Sequence, residues 1–304
     1  MSKVTFKGKE YDVNGLVQEC TGMAEELAKT AKIQEPLPEN VDMTEEENKL
    51  VQQQVSHLSA LAPKVPAESI YQIVAVTKSL PPQIVDAWWN AFIAKYLPNL
   101  ADVLKKASRE TQREHVSTLI QILSLLPDPT DSPYFRRFLR NSDVCAGLPT
   151  IIARHFVDGI KWKRPSGPGH ICTLIIHTIH WCDASLGDDK KASVDKDVRA
   201  RLRTKLEASI KQCKGRLEEL QLIEMERLHG LLGAVEFLPG DQYASSTRGY
   251  LEGQVDMCRR PDCYEGDEAS LRCSKCKCTR YCGKKCQTWH WKNGHKLNCF
   301  EPTF

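Results

Sequence analysis

No stretch of this 304-residue sequence is long and apolar enough to span a membrane. Its first fifteen residues, MSKVTFKGKEYDVNG, hold neither the apolar run nor the small-residue cleavage site of a secretory leader. A soluble, intracellular protein is expected. The sequence does not separate cytoplasm from nucleus, because the basic run Lys161-Trp162-Lys163-Arg164 is too short to act as an address. Charge is low as well: the formal net charge of +3 gives no ground for a nucleic-acid partner. Strand signal is nearly absent before residue 240, and no repeat of fixed period is visible. No Ser-His-Asp arrangement, phosphate-cradling glycine loop or pair of catalytic carboxylates can be argued, so the chain is expected not to be an enzyme. Cysteine is sparse over the first 256 residues. Cys20, Cys145, Cys172, Cys182 and Cys213 are scattered there and read as ordinary buried thiols.

What is present is mostly helix. Val4 and Phe6 alternate before Lys7-Gly8, with Tyr11 after it, which predicts a small hairpin. Val13, Leu16, Val17, Cys20, Leu27 and Ala31 then mark one face at helical spacing. Thr44 with Glu47 is a capping box opening a second helix, with a stripe of Val51, Val55, Leu58 and Leu61. Pro66, Pro81, Pro82, Pro98, Pro127, Pro129, Pro133 and the Pro165–Pro168 loop punctuate the remainder at intervals suited to successive helices. The last of these, from Ser193 to about Phe237, is expected to be long, with Leu202, Leu206, Ile210, Cys213, Leu217 and Leu220 inward. Arg199, Arg201, Arg203, Lys205, Lys211 and Lys214 should form its solvated face. DQYASSTRGYLEGQ follows Pro239-Gly240 and reads as a linker. The expected division is a helical domain over 1–240, a linker over 241–256 and a cysteine-rich module over 257–304. With a full set of apolar stripes, the helical region is expected to fold without the module. Within it, His177 and His180 lie three apart in HICTLIIHTIHWC. A metal site is conceivable there, but the isoleucines around them favour a buried helix that tolerates histidine.

The remaining eight cysteines fall between Cys258 and Cys299. Disulfides, a catalytic thiol or a metal site are the physical options, and a reducing compartment selects the metal. Cys258 and Cys263, Cys273 and Cys276, Cys282 and Cys286, and His295 and Cys299 form four ligand pairs, enough for two tetrahedral sites. Zinc suits this mixture of thiolate and imidazole, and closed four-ligand sites are structural. Two Zn²⁺ per chain are therefore expected. His295 and Cys299, four apart, would share one side of a short helix. Cys278 is surplus, and His290 lies too far from Cys299 in sequence to share its metal without a loop. Spacing alone leaves open which pairs combine. So small a module cannot bury enough apolar surface to fold unaided, and metal must supply on the order of 10–16 kcal/mol per site. Its ten Lys or Arg against five Asp or Glu make an excess of +5. Seven thiolates outweigh two divalent ions by three charges, leaving about +2. The lysines thus partly balance thiolates, and nucleic acid is not indicated.

Eight ligands in this order, together with RYC at 280–282, CQ at 286–287 and GHK at 294–296, make the segment 258–299 similar to a MYND-type zinc finger. The resemblance implies interleaved sites, with Cys258, Cys263, Cys282 and Cys286 on one zinc and Cys273, Cys276, His295 and Cys299 on the other. The whole chain would then be mainly α, an irregular helical bundle or armadillo-like helical stack followed by a small cross-braced two-zinc finger. Two departures stand out: four residues separate the first pair where two are usual, and His290 stands where Asp often precedes Trp291. The resemblance also implies an adaptor that binds protein partners through short proline-containing peptides, in a groove lined by Ser274, Gln287 and Trp291. The chemistry of these side chains agrees. A tryptophan face packs on proline, and Gln and Ser can hydrogen-bond an extended backbone. Trp289 is then expected in the finger's core. A nucleic-acid-associated zinc protein is the alternative, and two enzymatic readings rank lower. A SET-type methyltransferase would need a strand-rich domain and an Asn-His-Ser motif, and a RING-type ligase places histidine mid-series whereas His295 is seventh of eight.

Overall fold

The computed structural model describes residues 4–6, 9–34, 43–59, 82–160, 166–214, 217–263 and 269–304. Val4–Phe6 (β1) and Lys9–Tyr11 (β2) pair antiparallel, with Val4 opposite Tyr11, as the alternation predicts. Asp12 then caps α1 (Val13–Thr30), its carboxylate accepting from Gly15 N at 2.7 Å. The capping box is reciprocal: Glu47 N donates to Thr44 Oγ1 at 3.2 Å and Thr44 N to Glu47 Oε2 at 2.8 Å, opening α2 (Glu45–Ser59). Val51 is buried; the side chains of Val55 and Leu58, and Leu61 itself, lie outside the described residues.

The helices continue as α3 (Pro82–Lys106), α4 (Arg113–Ser124), α5 (Pro133–Leu139), α6 (Ser142–Cys145), α7 (Leu148–Val157) and α8 (Pro168–Trp181). After them come α9 (Lys196–Cys213), α10 (Glu219–Phe237) and α11 (Gln242–Val255). Leu16, Cys20, Ala24 and Leu27 of α1 pack toward α3, which buries Trp88, Phe92, Ile93 and Leu97. At the other end of the core, α8 is buried nearly all round, through Ile171, Leu174, Ile175, Ile176 and Ile179, because α4, α7, α10 and α11 all pack on it.

Three expectations fail locally, each because tertiary contacts outweigh a local rule. Pro98 ends nothing and lies inside α3. Its missing N–H leaves the carbonyl of Ala94, four residues earlier, without an intrahelical donor, and Thr303 N takes that place at 2.9 Å. The long helix expected from Ser193 is two helices, α9 ending at Cys213 and α10 beginning at Glu219. The break lets α10 fold back along α9. Arg199, at the start of α9, therefore meets Glu236, near the end of α10, at 2.8 Å. Arg199 is not on the solvated face but fully buried, paired also with Asp189 at 2.6 Å. Finally, the stretch expected as a linker is α11. Its composition is poor for a helix, but Ala244 is buried and Tyr243 Oη lies 3.2 Å from His180 Nε2. Arg248 donates to the carbonyl of Cys182, and Glu252 pairs with Arg140 at 2.7 Å.

The cysteine-rich module does not hang free of this scaffold. Asp256 pairs with Arg280 at 3.0 Å and with Arg140 at 3.6 Å. Arg259 donates to the Asp131 carbonyl at 3.1 Å, and Phe300 is buried in the same apolar core that holds α3 and α5. No described helix is long and apolar enough to cross a membrane.

Candidate metal centres

The module is built on a two-residue ribbon, β3 (Leu271–Arg272) against β4 (Arg280–Tyr281), with Arg272 opposite Arg280. Because the strands are antiparallel, Cys273, which follows β3, lies at the turn end, and Cys282, which follows β4, lies at the open end. Arg259 N bonds the Arg280 carbonyl at 3.1 Å and brings the first loop to β4. Two groups result. Cys258, Cys263, Cys282 and Cys286 form one, and Cys273, Cys276, His295 and Cys299 the other, with the donor atoms of each within 4.8 Å of one another. The pairing left open by spacing is interleaved.

In the first group Cys263 and Cys282 lie 3.4 Å apart, Cys282 and Cys286 3.4 Å, and Cys286 and Cys263 3.8 Å. In the second, Cys273 Sγ is 3.7 Å from Cys299 Sγ, and Cys276 Sγ is 3.7 Å from His295 Nε2. A tetrahedron with Zn–S near 2.3 Å has edges of about 3.8 Å, so both groups fit a zinc ion. Hydrogen bonds from Cys278 and Cys299 lower the Cys276 thiol, while the bond to Cys276 and burial raise Cys299. Cys282 is pushed up to about 12 by its bonds to Cys263 and Cys286. Sulfurs this close shift one another in opposite directions, and a divalent cation would favour the thiolate at each of them.

Local backbone sets the ligands. Cys273 N bonds Thr279 O at 3.0 Å and Lys277 N bonds Cys273 O at 2.9 Å, closing the turn that carries Cys276 with Lys277 at φ 55°. Cys286 sits on α12 (Lys284–His290), and the segment Trp291–His295 continues it to the histidine ligand. His295 and Cys299 do not share the expected short helix. Gly294, at φ 137°, ends the regular helical path just before His295, and from there the chain reaches Cys299 through tight turns, with Leu297 N bonding Gly294 O at 3.2 Å and Asn298 N bonding His295 O at 3.0 Å. Cys278 is half-buried and belongs to neither group. His290 lies beside the second centre, its ring 5.2 Å from that of His295 and its Nδ1 3.0 Å from Tyr281 Oη. The core place expected for Trp289 is taken by Tyr281, which is fully buried. Trp289 is half-buried under the guanidinium of Arg260 at 5.5 Å.

Of the three expected groove residues, Gln287 and Trp291 stand four apart along α12 and its continuation, and Trp291 is 38% exposed. Its ring meets His295 edge-on at 5.8 Å. Ser274 is exposed in the turn between Cys273 and Cys276, ligands of the same centre as His295. His177 and His180 do not converge. His177 is 3.2 Å from Asp128, and His180 bonds Tyr243. Among the described residues no third metal-holding group forms.

A profile of the MYND finger family matches residues 256–299. Those residues are a MYND finger. The matching curated proteins align with this chain over 31–35 residues. Ubiquitin carboxyl-terminal hydrolase 17 of Arabidopsis thaliana is 54% identical over 35 residues, 12% of this chain and 5% of that protein. Ubiquitin C-terminal hydrolase 15 of Oryza sativa subsp. japonica is 58% identical over 31 residues, 10% of this chain and 3% of that protein. The chain thus spans a few per cent of the length of these relatives. No solved structure is a significant match. The MYND finger is a zinc-binding protein–protein interaction module, and the two centres can hold two zinc ions. Elemental analysis of the purified chain is expected to give a zinc-to-protein ratio near two. Replacing Cys286, a ligand of the first centre only, with Ser should bring it near one.

Proposed function

We propose that the chain is a non-enzymatic adaptor, whose MYND finger binds short proline-containing peptides of protein partners inside the cell. The observation that carries this reading is Trp291. A large apolar ring stands exposed on the finger, held edge-on by a zinc ligand, in line with the amide of Gln287. Both metal groups have four protein donors, which leaves no open position for chemistry and makes the metal's role structural. The hydrolase activity named for the matched relatives is not carried over, because the shared segment is a few per cent of their length. A groove on so small a module buries little area, so affinity should be about micromolar to hundreds of micromolar.

Titration of proline-containing peptides into the isotopically labelled, zinc-loaded chain should shift the amides of Ser274, Gln287 and Trp291. Trp291→Ala is expected to weaken binding at least tenfold while leaving the zinc ratio unchanged, because the ring faces solvent. Shifts produced by an oligonucleotide and by none of the peptides would replace this reading with the nucleic-acid one.

A further inference from the structure

The zinc ligand Cys299 is gripped from outside the finger. Tyr134, on α5 and 1% exposed, accepts the N–H of Phe300 at 2.8 Å. The same hydroxyl is 2.9 Å from the carbonyl of Asn298 and 3.0 Å from that of Phe300, either of which can take its proton. These are peptide groups on both sides of Cys299. Asn90 on α3 donates to the side chain of Asn298 at 3.1 Å, and Thr303 fills the carbonyl that Pro98 leaves open in the same helix. The backbone from 298 to 303 is thus seated on the helical domain at successive points, and the position of the Cys299 sulfur follows from it. The other centre is approached differently, through the side chain of Arg259 on the Asp131 carbonyl.

We propose that Tyr134 is a positioning residue of the Cys273–Cys276–His295–Cys299 centre, so that the helical domain, and not the finger alone, sets how tightly that centre holds zinc. The physical reason is preorganisation. A ligand already held at its bound position costs less ordering when metal arrives, and outer groups that orient ligands typically change affinity by about 10–100-fold. Removing the hydroxyl also leaves the buried Phe300 N–H without an acceptor, which favours departure of the segment that carries Cys299.

The test uses the full chain. ¹¹³Cd²⁺ loaded into both centres should give two NMR resonances, one for four sulfurs and one for three sulfurs and a nitrogen. Zinc release is followed in parallel against a competing chelator. In Tyr134→Phe both centres should still fill at excess metal, but the three-sulfur resonance should shift, and that centre should lose about tenfold in affinity. The four-sulfur centre should behave as in wild type. Wild-type affinity at both centres, or an equal loss at both, would overturn the proposal. Leu119→Ala, which cuts a cavity in α4, controls for a general loss of helical stability. It should leave both affinities unchanged, and a selective loss there matching that of Tyr134→Phe would also overturn it.

Discussion

Stripping zinc from the full chain with excess chelator is expected to unfold residues 257–299 outright and to lower the unfolding temperature of the helical domain as well. The first effect follows from size. Among its described residues, and apart from the ligands, the finger buries few apolar side chains, chiefly Ala269, Tyr281 and Leu297. Structural zinc contributes on the order of 10–16 kcal/mol per site, far more than such a core could replace. The second effect follows from how the finger ends. Phe300 is buried in the helical core, and Phe304 packs edge-on against Phe138 at 5.7 Å, while Arg137 reaches the Phe304 carbonyl at 2.8 Å. When the finger unfolds these contacts are lost. Uncovering one large apolar side chain costs about 2 kcal/mol, on the order of 5 °C for a domain of this size. Calorimetry with and without chelator should show both changes. A helical transition that does not move would mean that the contacts of Phe300 and Phe304 contribute nothing, and that the helical region folds independently, as its stripes alone predict.

Arg199→Met should cost about 2–3 kcal/mol of helical-domain stability, read as a lower urea midpoint with an unchanged slope. The guanidinium has no exposed side-chain surface and bonds Asp189, Glu236 and the Val194 carbonyl at 2.6–2.8 Å. Removing one member of a buried ionic group costs roughly 3–5 kcal/mol. The cost here falls at or just below the lower end, because the partners, 23% and 35% exposed, can rehydrate. A solvated arginine, as helical spacing alone suggests, would cost about 0.5 kcal/mol or less. The pair also has a pH signature. Hydrogen bonding to Arg199 holds the Asp189 carboxyl below its ordinary range. A carboxyl lowered in the folded state stabilises above its unfolded pKa, and that contribution is lost as pH falls through the folded one. The gap between wild type and Arg199→Met should therefore be full at neutral pH and narrow below about pH 4. A gap independent of pH would mean that Arg199 acts only through packing.

The sequence by itself determined the helical class, the hairpin, the capping box at Thr44, the four ligand pairs and the family of the finger. All are local signals: a period, a cap or a spacing is written within a few residues of where it acts. Only the tertiary structure decided where Arg199 points, because its acids are Asp189 and Glu236, the second on a helix that packs back along α9. Only it made a helix of 242–255, through Arg140, His180 and Cys182, none of which lies near it in the sequence. It alone resolved the interleaved pairing from the residues, because that depends on which end of an antiparallel ribbon each cysteine leaves. Tyr134 and Asn298 are 164 residues apart, and nothing in the composition around either one points to the other. Pro98 is the instructive intermediate. Its sequence position names the carbonyl that goes without a donor, Ala94, but the donor, Thr303, lies 209 residues further along the chain and is brought there only by the tertiary fold.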